Sequence, residues 1–290
     1  MTKLSVVVPV FNEAPDVIAV LERLLAAECP IEREVLVIDD GSTDGTARLL
    51  EEFAAGGEVR LIRRDHRGGK GAAVADGIAA ASGEYLIVHD ADHEYDPSDI
   101  PRLLEPLLEG RADVVYGSRF RRECTTVHRT FHYLANRLLT DLSNAFSGIY
   151  LTDVHTCYKL FRADLLKAMR LRSRAFGFDA EATAYLAKID VRIMELPISY
   201  RPRTREDGKK ITWIDGVAAL WHLVYFNLLV SRERAFDGLP ARYLPNRGRA
   251  GVPREREPKV SPHPMVAGAL GEELAGLDQA TRALVAEEPW

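Results

Sequence analysis

Cysteine is scarce in this chain. Three residues, Cys29, Cys124 and Cys157, stand among 290 positions, and no pair has CxxC spacing. This excludes a disulfide framework and a zinc cluster of the usual spacing, and it fits a reducing cytoplasm. Long apolar runs are missing as well: nothing approaches the roughly 18 residues that would suggest a membrane span. The nearest stretch, residues 217–230, carries Trp221, His222, Tyr225 and Asn227 and suits a core or interfacial helix. Residues 4–10 are too short for a signal-peptide core and contain Pro9, so no leader is expected. Basic charge is in deficit. Lys and Arg number 38 against 43 Asp and Glu, for a net charge of −5, which argues against a dedicated nucleic-acid binder. The chain has neither a GxxxxGK[ST] phosphate loop nor GxGxxG after its first apolar run, and no internal repeat.

What is present is an alternation. Short β-branched runs at residues 4–9, 34–38, 59–62, 85–88 and 113–116 alternate with helix-like stretches at 15–27, 44–53, 70–81 and 98–108. That order predicts βαβ units and an α/β fold built on a parallel sheet covered on both faces. Asp44 and Ser98 are expected as helix caps and Pro15 as a first-turn proline. Further on, the pattern predicts a mobile loop over 119–130, helices at 131–146 and 179–188, strands at 156–161 and 191–196, and an amphipathic helix over 211–230. From about Asp237, prolines and mixed charge read as linker. Residues 267–286 then have the pattern of an acidic amphipathic helix, which leaves self-association as a homo-oligomer open.

Four segments carry chemistry. In an open parallel sheet, ligands bind beyond the carboxyl ends of the strands, where the loops at 11–14, 39–43 and 89–96 should gather. Asp90, Ala91, Asp92 and Glu94 follow the fourth strand. Residues two apart in an extended segment share a side, so the three carboxylates can converge. Such crowding calls for a cation between them, and hard oxygen ligands suit Mg2+ or Mn2+ carrying a diphosphate. The plainer alternative is an acidic surface turn ending in a cap. Asp39 and Asp40 end the second strand, where a carboxylate can accept hydrogen bonds from a nucleobase or ribose. Pro9, Phe11 and Glu13 follow the first strand, with Phe11 placed either to stack on a base or simply to pack. The segment Arg67, Gly68, Gly69, Lys70 and Gly71 opens a helix whose N-terminus favours an anion.

Taken together in this order, these segments resemble a family 2 glycosyltransferase, and more narrowly the dolichyl- or polyprenyl-phosphate sugar transferase branch. Gly-Ser-Arg-Phe at 117–120 and the segments at 153–162, 176–181 and 200–211 extend the likeness over residues 4 to about 230. The resemblance implies a GT-A fold: a Rossmann-like, mostly parallel sheet flanked by helices, with an acceptor-side subdomain and a C-terminal helical extension. It divides the chain into a glycosyltransferase domain at 1–235, with a nucleotide-sugar half (1–118) and an acceptor half (119–235), and a tail at 236–290. It places Pro9, Phe11, Glu13, Asp39 and Asp40 at the nucleoside. Asp90, Asp92 and Glu94 fall on the metal and diphosphate positions. Arg119, Arg129 and Asn136 fall on the acceptor side, and Arg203, Arg205 and Lys209 on a loop closing over the diphosphate. Two features depart from the pattern: the membrane-embedded C-terminal helices of some relatives are absent, and His93 and Glu94 replace a more common Leu and Gln.

The chemistry implied is an inverting displacement on a UDP- or GDP-sugar, with charge growing on the departing diphosphate. A phosphate acceptor, already largely a dianion at neutral pH, needs no base. A sugar or lipid hydroxyl would need one, with Asp179 or Glu181 as candidates, although capping and dipole complementarity explain both equally well. The cysteines fit a cytoplasmic location, and the helix over 211–230 either lies peripherally at the inner face of a membrane, with Trp213, Trp221 and Tyr225 at the headgroup level, or packs as a core helix. A sugar nucleotidyltransferase and a non-catalytic nucleotide-sugar-binding module are the rival readings.

Overall fold

The structure, a computed structural model, describes residues 2–120, 130–175, 177–202 and 213–245. A sheet of seven strands runs through it in the order β3-β2-β1-β4-β6-β5-β7. The strands are β1 (Lys3–Val10), β2 (Glu32–Asp39), β3 (Arg60–Arg63), β4 (Tyr85–Val88), β5 (Val114–Ser118), β6 (Lys159–Arg162) and β7 (Ile193–Pro197). Every pairing is parallel except those of β6, which runs against both β4 and β5. The expected α/β fold and all seven anticipated strands are found. Val6, Val7 and Val8 of the central β1 are fully buried, as a strand covered by helices on both faces must be.

The first helices are α1 (Val17–Ala26), α2 (Thr46–Ala54), α3 (Lys70–Ala80) and α4 (Ile100–Leu108). Each presents an apolar stripe to the sheet, clearest in α4, whose Ile100, Leu103, Leu104 and Leu107 are all buried at helical spacing. The second half adds α5 (Thr130–Ser147), α6 (Ala163–Lys167), α7 (Phe178–Leu186), α8 (Trp213–Val224) and α9 (Arg232–Ala235). The stretch read as one helix over 211–230 is in fact α8 followed by a π-helical turn, Tyr225–Leu229. No described helix is long and apolar enough to cross a membrane.

The helix starts differ in detail from expectation. Asp44 accepts from Thr46 N and Thr46 Oγ1, but Gly45 takes the cap position of α2. Asp96, not Ser98, caps the turn before α4, its carboxylate accepting from Ser98 N. Pro15 lies in the turn ahead of α1, where Asp16 N and Val17 N both donate to Glu13 O. At α2 the positive φ of Gly45 takes the cap, and before α4 the Asp96 carboxylate does. Most of the 119–130 loop and the whole of the 246–290 tail lie outside the described residues.

One carboxylate stitches the back of the sheet. Glu34, on β2, accepts from Ser5 Oγ on β1 and from Ser82 N (2.6 Å), Ser82 Oγ (2.9 Å) and Gly83 N (3.2 Å) in the turn before β4. Burial alone would raise its pKa, but the hydrogen bonds from Ser5 and Ser82 and the charge of Lys3 pull it from 4.5 down to about 2. A depressed carboxylate stabilises the fold above its unfolded pKa and ceases to do so as pH falls through the folded one. Urea melts should therefore show the protein losing stability between pH 4.5 and about 2. Glu34→Gln should lose less than the parent across that window; equal acid sensitivity would mean that the stitch contributes nothing.

Candidate active site

Because β1 lies between β2 and β4 with all three parallel, the loops that follow them meet at one edge of the sheet. The first two are laced together. Asn12 N donates to Ser42 Oγ (3.0 Å), Thr43 N to Asn12 Oδ1 (2.8 Å) and Glu13 N to Thr46 Oγ1 (3.0 Å). Asn12 sits at φ 52°, a left-handed conformation that asparagine tolerates better than most side chains. Pro9, Phe11 and Glu13 are all half-buried along this rim. The Arg67 guanidinium stands 4.3 Å from the centre of the Phe11 ring.

Asp39 and Asp40 divide their duties. Asp39 is fully buried; its Oδ1 accepts from Ser42 N at 3.0 Å, while Oδ2 has no hydrogen-bond partner and lies 3.7 Å from Arg63 Nε. A buried carboxylate oxygen without a hydrogen bond asks for a donor, and Arg63 at 3.7 Å supplies charge but no hydrogen bond. Asp40, expected beside it at the nucleoside, faces elsewhere. Its two oxygens accept from Gly68 N (2.8 Å) and Gly69 N (2.7 Å) and fasten the loop that opens α3.

That loop delivers Lys70. Its ammonium sits 2.5 Å from Asp90 Oδ1, just past β4. Burial works against the charge on both groups, yet each outweighs it for the other: Asp90 stays below the usual carboxylate range and Lys70 above the usual lysine value. Asp92 Oδ1 accepts from Glu94 N at 2.9 Å, and Glu94 Oε2 accepts from Tyr200 Oη at 2.9 Å. The anticipated convergence of Asp90, Asp92 and Glu94 is therefore corrected. Among the described residues no group of three such side chains is placed to hold a metal; Glu94 is bonded to Tyr200 and Asp90 to Lys70. Asp90 and Asp92 still offer hard oxygens of the kind that Mg2+ and Mn2+ prefer, and a bound diphosphate would complete the set, so the donor chemistry fits a divalent cation.

Beneath this rim, the buried His89 Nδ1 lies 2.8 Å from Tyr158 Oη, and burial lowers its pKa to about 4, leaving it neutral. Tyr95 packs 4.8 Å from Tyr158 and 5.3 Å from Tyr200, ring centre to ring centre. Cys157 N donates to Tyr95 Oη at 2.9 Å. None of these residues was singled out in the sequence; aromatic residues one strand apart leave no periodic trace.

Arg119, expected to touch substrate, is spent on Asp153. Nε and Nη2 donate to the two carboxylate oxygens at 2.7 and 2.8 Å, and the backbone N adds a third bond at 3.0 Å. Asp153 N and Thr152 N are held in turn by Glu195 on β7. Asp179 pairs with Lys159, a fully buried lysine that also donates to Thr156 O. Glu181 is fully buried, and its carboxylate accepts from Arg172 N (2.7 Å), Ser173 N (2.8 Å) and Tyr185 Oη (2.8 Å). Those three donors engage both of its oxygens. Asn136 is half-buried on α5, whereas Arg129, Arg203, Arg205 and Lys209 lie outside the described residues.

The model of the glycosyl transferase family 2 domain matches residues 5–170, more than half of the chain. The chain belongs to glycosyl transferase family 2. Among curated relatives it is 33% identical over 230 residues to the low-salt glycan biosynthesis hexosyltransferase Agl6 of Haloferax volcanii, covering 78% of this chain and 53% of that protein. The chain thus spans about half the length of that relative. It is 30% identical over 226 residues to the undecaprenyl-phosphate mannosyltransferase of Micrococcus luteus (74% and 90%). It is also 30% identical over 244 residues to the undecaprenyl-phosphate 4-deoxy-4-formamido-L-arabinose transferase of Aeromonas hydrophila (83% and 69%). Two of these three relatives are named as undecaprenyl-phosphate sugar transferases. Its fold is that of glucosyl-3-phosphoglycerate synthase from Mycobacterium tuberculosis, crystallised with Mn2+, UDP and phosphoglyceric acid, at a TM-score of 0.60 and 19% identity over 78% of this chain and 79% of that one. That likeness establishes the GT-A architecture.

Removing one member of a buried pair leaves the other charge uncompensated, at a cost of roughly 3–5 kcal/mol. Asp153→Asn should lower the unfolding free energy by that order in a denaturant titration. A loss within about 0.5 kcal/mol, the size of an ordinary surface change, would show that Arg119 finds another anion.

Proposed function

We propose that this glycosyltransferase moves a sugar from a UDP- or GDP-sugar to a polyprenyl phosphate, with inversion, in a divalent-metal-dependent reaction. The observation that carries the reading is placement: Asp39, Asp90 and Asp92 follow the carboxyl ends of two strands flanking β1, at the edge where open α/β sheets bind ligands. Asp39 Oδ2, which lacks a hydrogen bond, is the proposed acceptor for a nucleoside N–H or O–H, and Phe11 lines the same rim. Asp90 and Asp92 would hold Mg2+ or Mn2+, which when bound supplies Lewis-acid stabilisation of the departing diphosphate. Lys70, already a cation beside Asp90, adds fixed positive charge where the diphosphate leaves, and Arg203, Arg205 and Lys209 are proposed to do the same.

An acceptor phosphate attacks as a dianion and needs no base. The Lys159 ammonium supports this version, since it cancels the Asp179 charge that would otherwise repel an anion. If the acceptor is a hydroxyl, Asp179 is the better base, because the Glu181 carboxylate is fully engaged. Arg119 becomes a positioning residue for the acceptor side, with Arg129 and Asn136 the proposed contacts. The lipid reading gains support from Leu134, Leu138, Trp221, Leu228 and Leu229, each more than half exposed. These side chains are proposed as a peripheral membrane contact at the inner face.

Incubation with UDP- and GDP-sugars, Mn2+ and undecaprenyl phosphate should release nucleoside diphosphate and form a lipid-linked sugar. Asp92→Asn should cut kcat by about a hundredfold or more. Pyrophosphate release would convict a nucleotidyltransferase, transfer to hydroxyl acceptors alone would eliminate the phosphate version, and an unaffected Asp92→Asn would sink the metal site.

A further inference from the structure

Lys70 does not reach Asp90 unaided. Asp40 holds its loop from one side through Gly68 N and Gly69 N. From the other side the loop is bonded, backbone to backbone, to the segment just before α7: Gly71 N donates to Ala175 O (3.0 Å) and Ala72 N to Arg174 O (3.2 Å). The approach is so close that a Cβ on Gly71 would stand 2.1 Å from Ser173 O, and one on Gly69, at φ 93°, would stand 2.3 Å from Arg174 O. Only glycine fits at either place.

The 172–175 segment is irregular, and what fixes it is Glu181. The two oxygens of this buried carboxylate take Arg172 N and Ser173 N, and Tyr185 Oη, one turn along α7, holds the carboxylate itself. A continuous chain of bonds therefore runs from α7 on the acceptor side, through 172–175, to the Gly-Gly-Lys-Gly loop and the Asp90 carboxylate on the donor side.

We infer that Glu181 is a positioning residue that sets the donor diphosphate site through this backbone clasp, holding Lys70 at Asp90 without itself touching substrate. The inference rests on the donor-site reading of Lys70 proposed above. It also makes a physical link between the two halves of the domain: a change at the start of α7, where Asp179 stands, is transmitted to Lys70 through hydrogen-bonded backbone.

Two variants attack the clasp from opposite ends. Glu181→Gln keeps the side-chain volume but turns an NH2 group toward a backbone N–H, donor against donor. Gly71→Ala leaves Glu181 intact and forces its methyl into Ser173 O. In both, hydrogen exchange at the Gly71 and Ala72 amides should quicken. The affinity for UDP or GDP in the presence of Mn2+, read by calorimetry, should fall about tenfold, as when an outer-shell support is removed. In turnover, the donor KM should rise while the pH profile of kcat keeps its shape, and Glu181→Asp should recover part of the affinity. Unchanged exchange at residues 71 and 72 in Glu181→Gln would overturn the clasp whatever the enzyme does. A fall in kcat with a shifted pH profile and an unchanged donor KM would overturn it too, by making Glu181 a base. Quickened exchange with unaltered nucleotide affinity would uphold the mechanical link and condemn only the donor-site reading of Lys70.

Discussion

Negative charge collects at one edge of this sheet, and the rest of the domain is arranged around neutralising it. Asp39, Asp40, Asp90, Asp92 and Glu94 are brought to this edge by strand order, and Asp179 stands at the start of α7, paired with Lys159. Like charges at that density repel strongly out of bulk water. Each is answered locally: Lys70 at Asp90, Lys159 at Asp179, Arg63 near Asp39, glycine amides at Asp40, the Glu94 amide at Asp92, the Tyr200 hydroxyl at Glu94. Lys70 thereby ties α3, and Tyr200 the segment after β7, to the stretch past β4, while Lys159 ties β6 to α7.

This arrangement separates groups that hold from groups that remain available. Asp40, Asp153 and Glu181 have both carboxylate oxygens committed to backbone N–H groups or a guanidinium. Asp39 retains an oxygen without a hydrogen bond, and Asp90 is paired with the Lys70 ammonium. The same residue type thus serves as rivet or as ligand according to how many donors surround it. Burial alone does not distinguish the two, since Asp39 and Asp153 are equally inaccessible.

The sheet was legible in the sequence because continuous apolar runs of four to eight residues between amphipathic stretches admit little else. The strand tips were legible for the same reason, which is why Asp39, Asp90 and Asp92 could be placed together. What could not be read was the division of labour. Asp40 and Glu181 resemble functional carboxylates in every local respect; their commitment to Gly68, Gly69, Arg172 and Ser173 depends on backbone conformation in two irregular loops. Lys159 and Asp153 sat inside a recognised motif, yet nothing in it said which would be buried and paired with Asp179 and Arg119. Cap positions slipped by one or two residues where a glycine at positive φ or a second Asp competed.

The reversed direction of β6 has a consequence of its own. In a parallel strand the useful residues come after the last hydrogen bond; in β6 they come before the first. The stretch Asp153–Tyr158 therefore arrives at the reactive edge as the lead-in to a strand, with no crossover helix between it and that edge. A lengthened or shortened connection after β6 would leave those side chains where they are, whereas a single-residue insertion ahead of it would shift Cys157 and Tyr158 out of register with Val88 and His89.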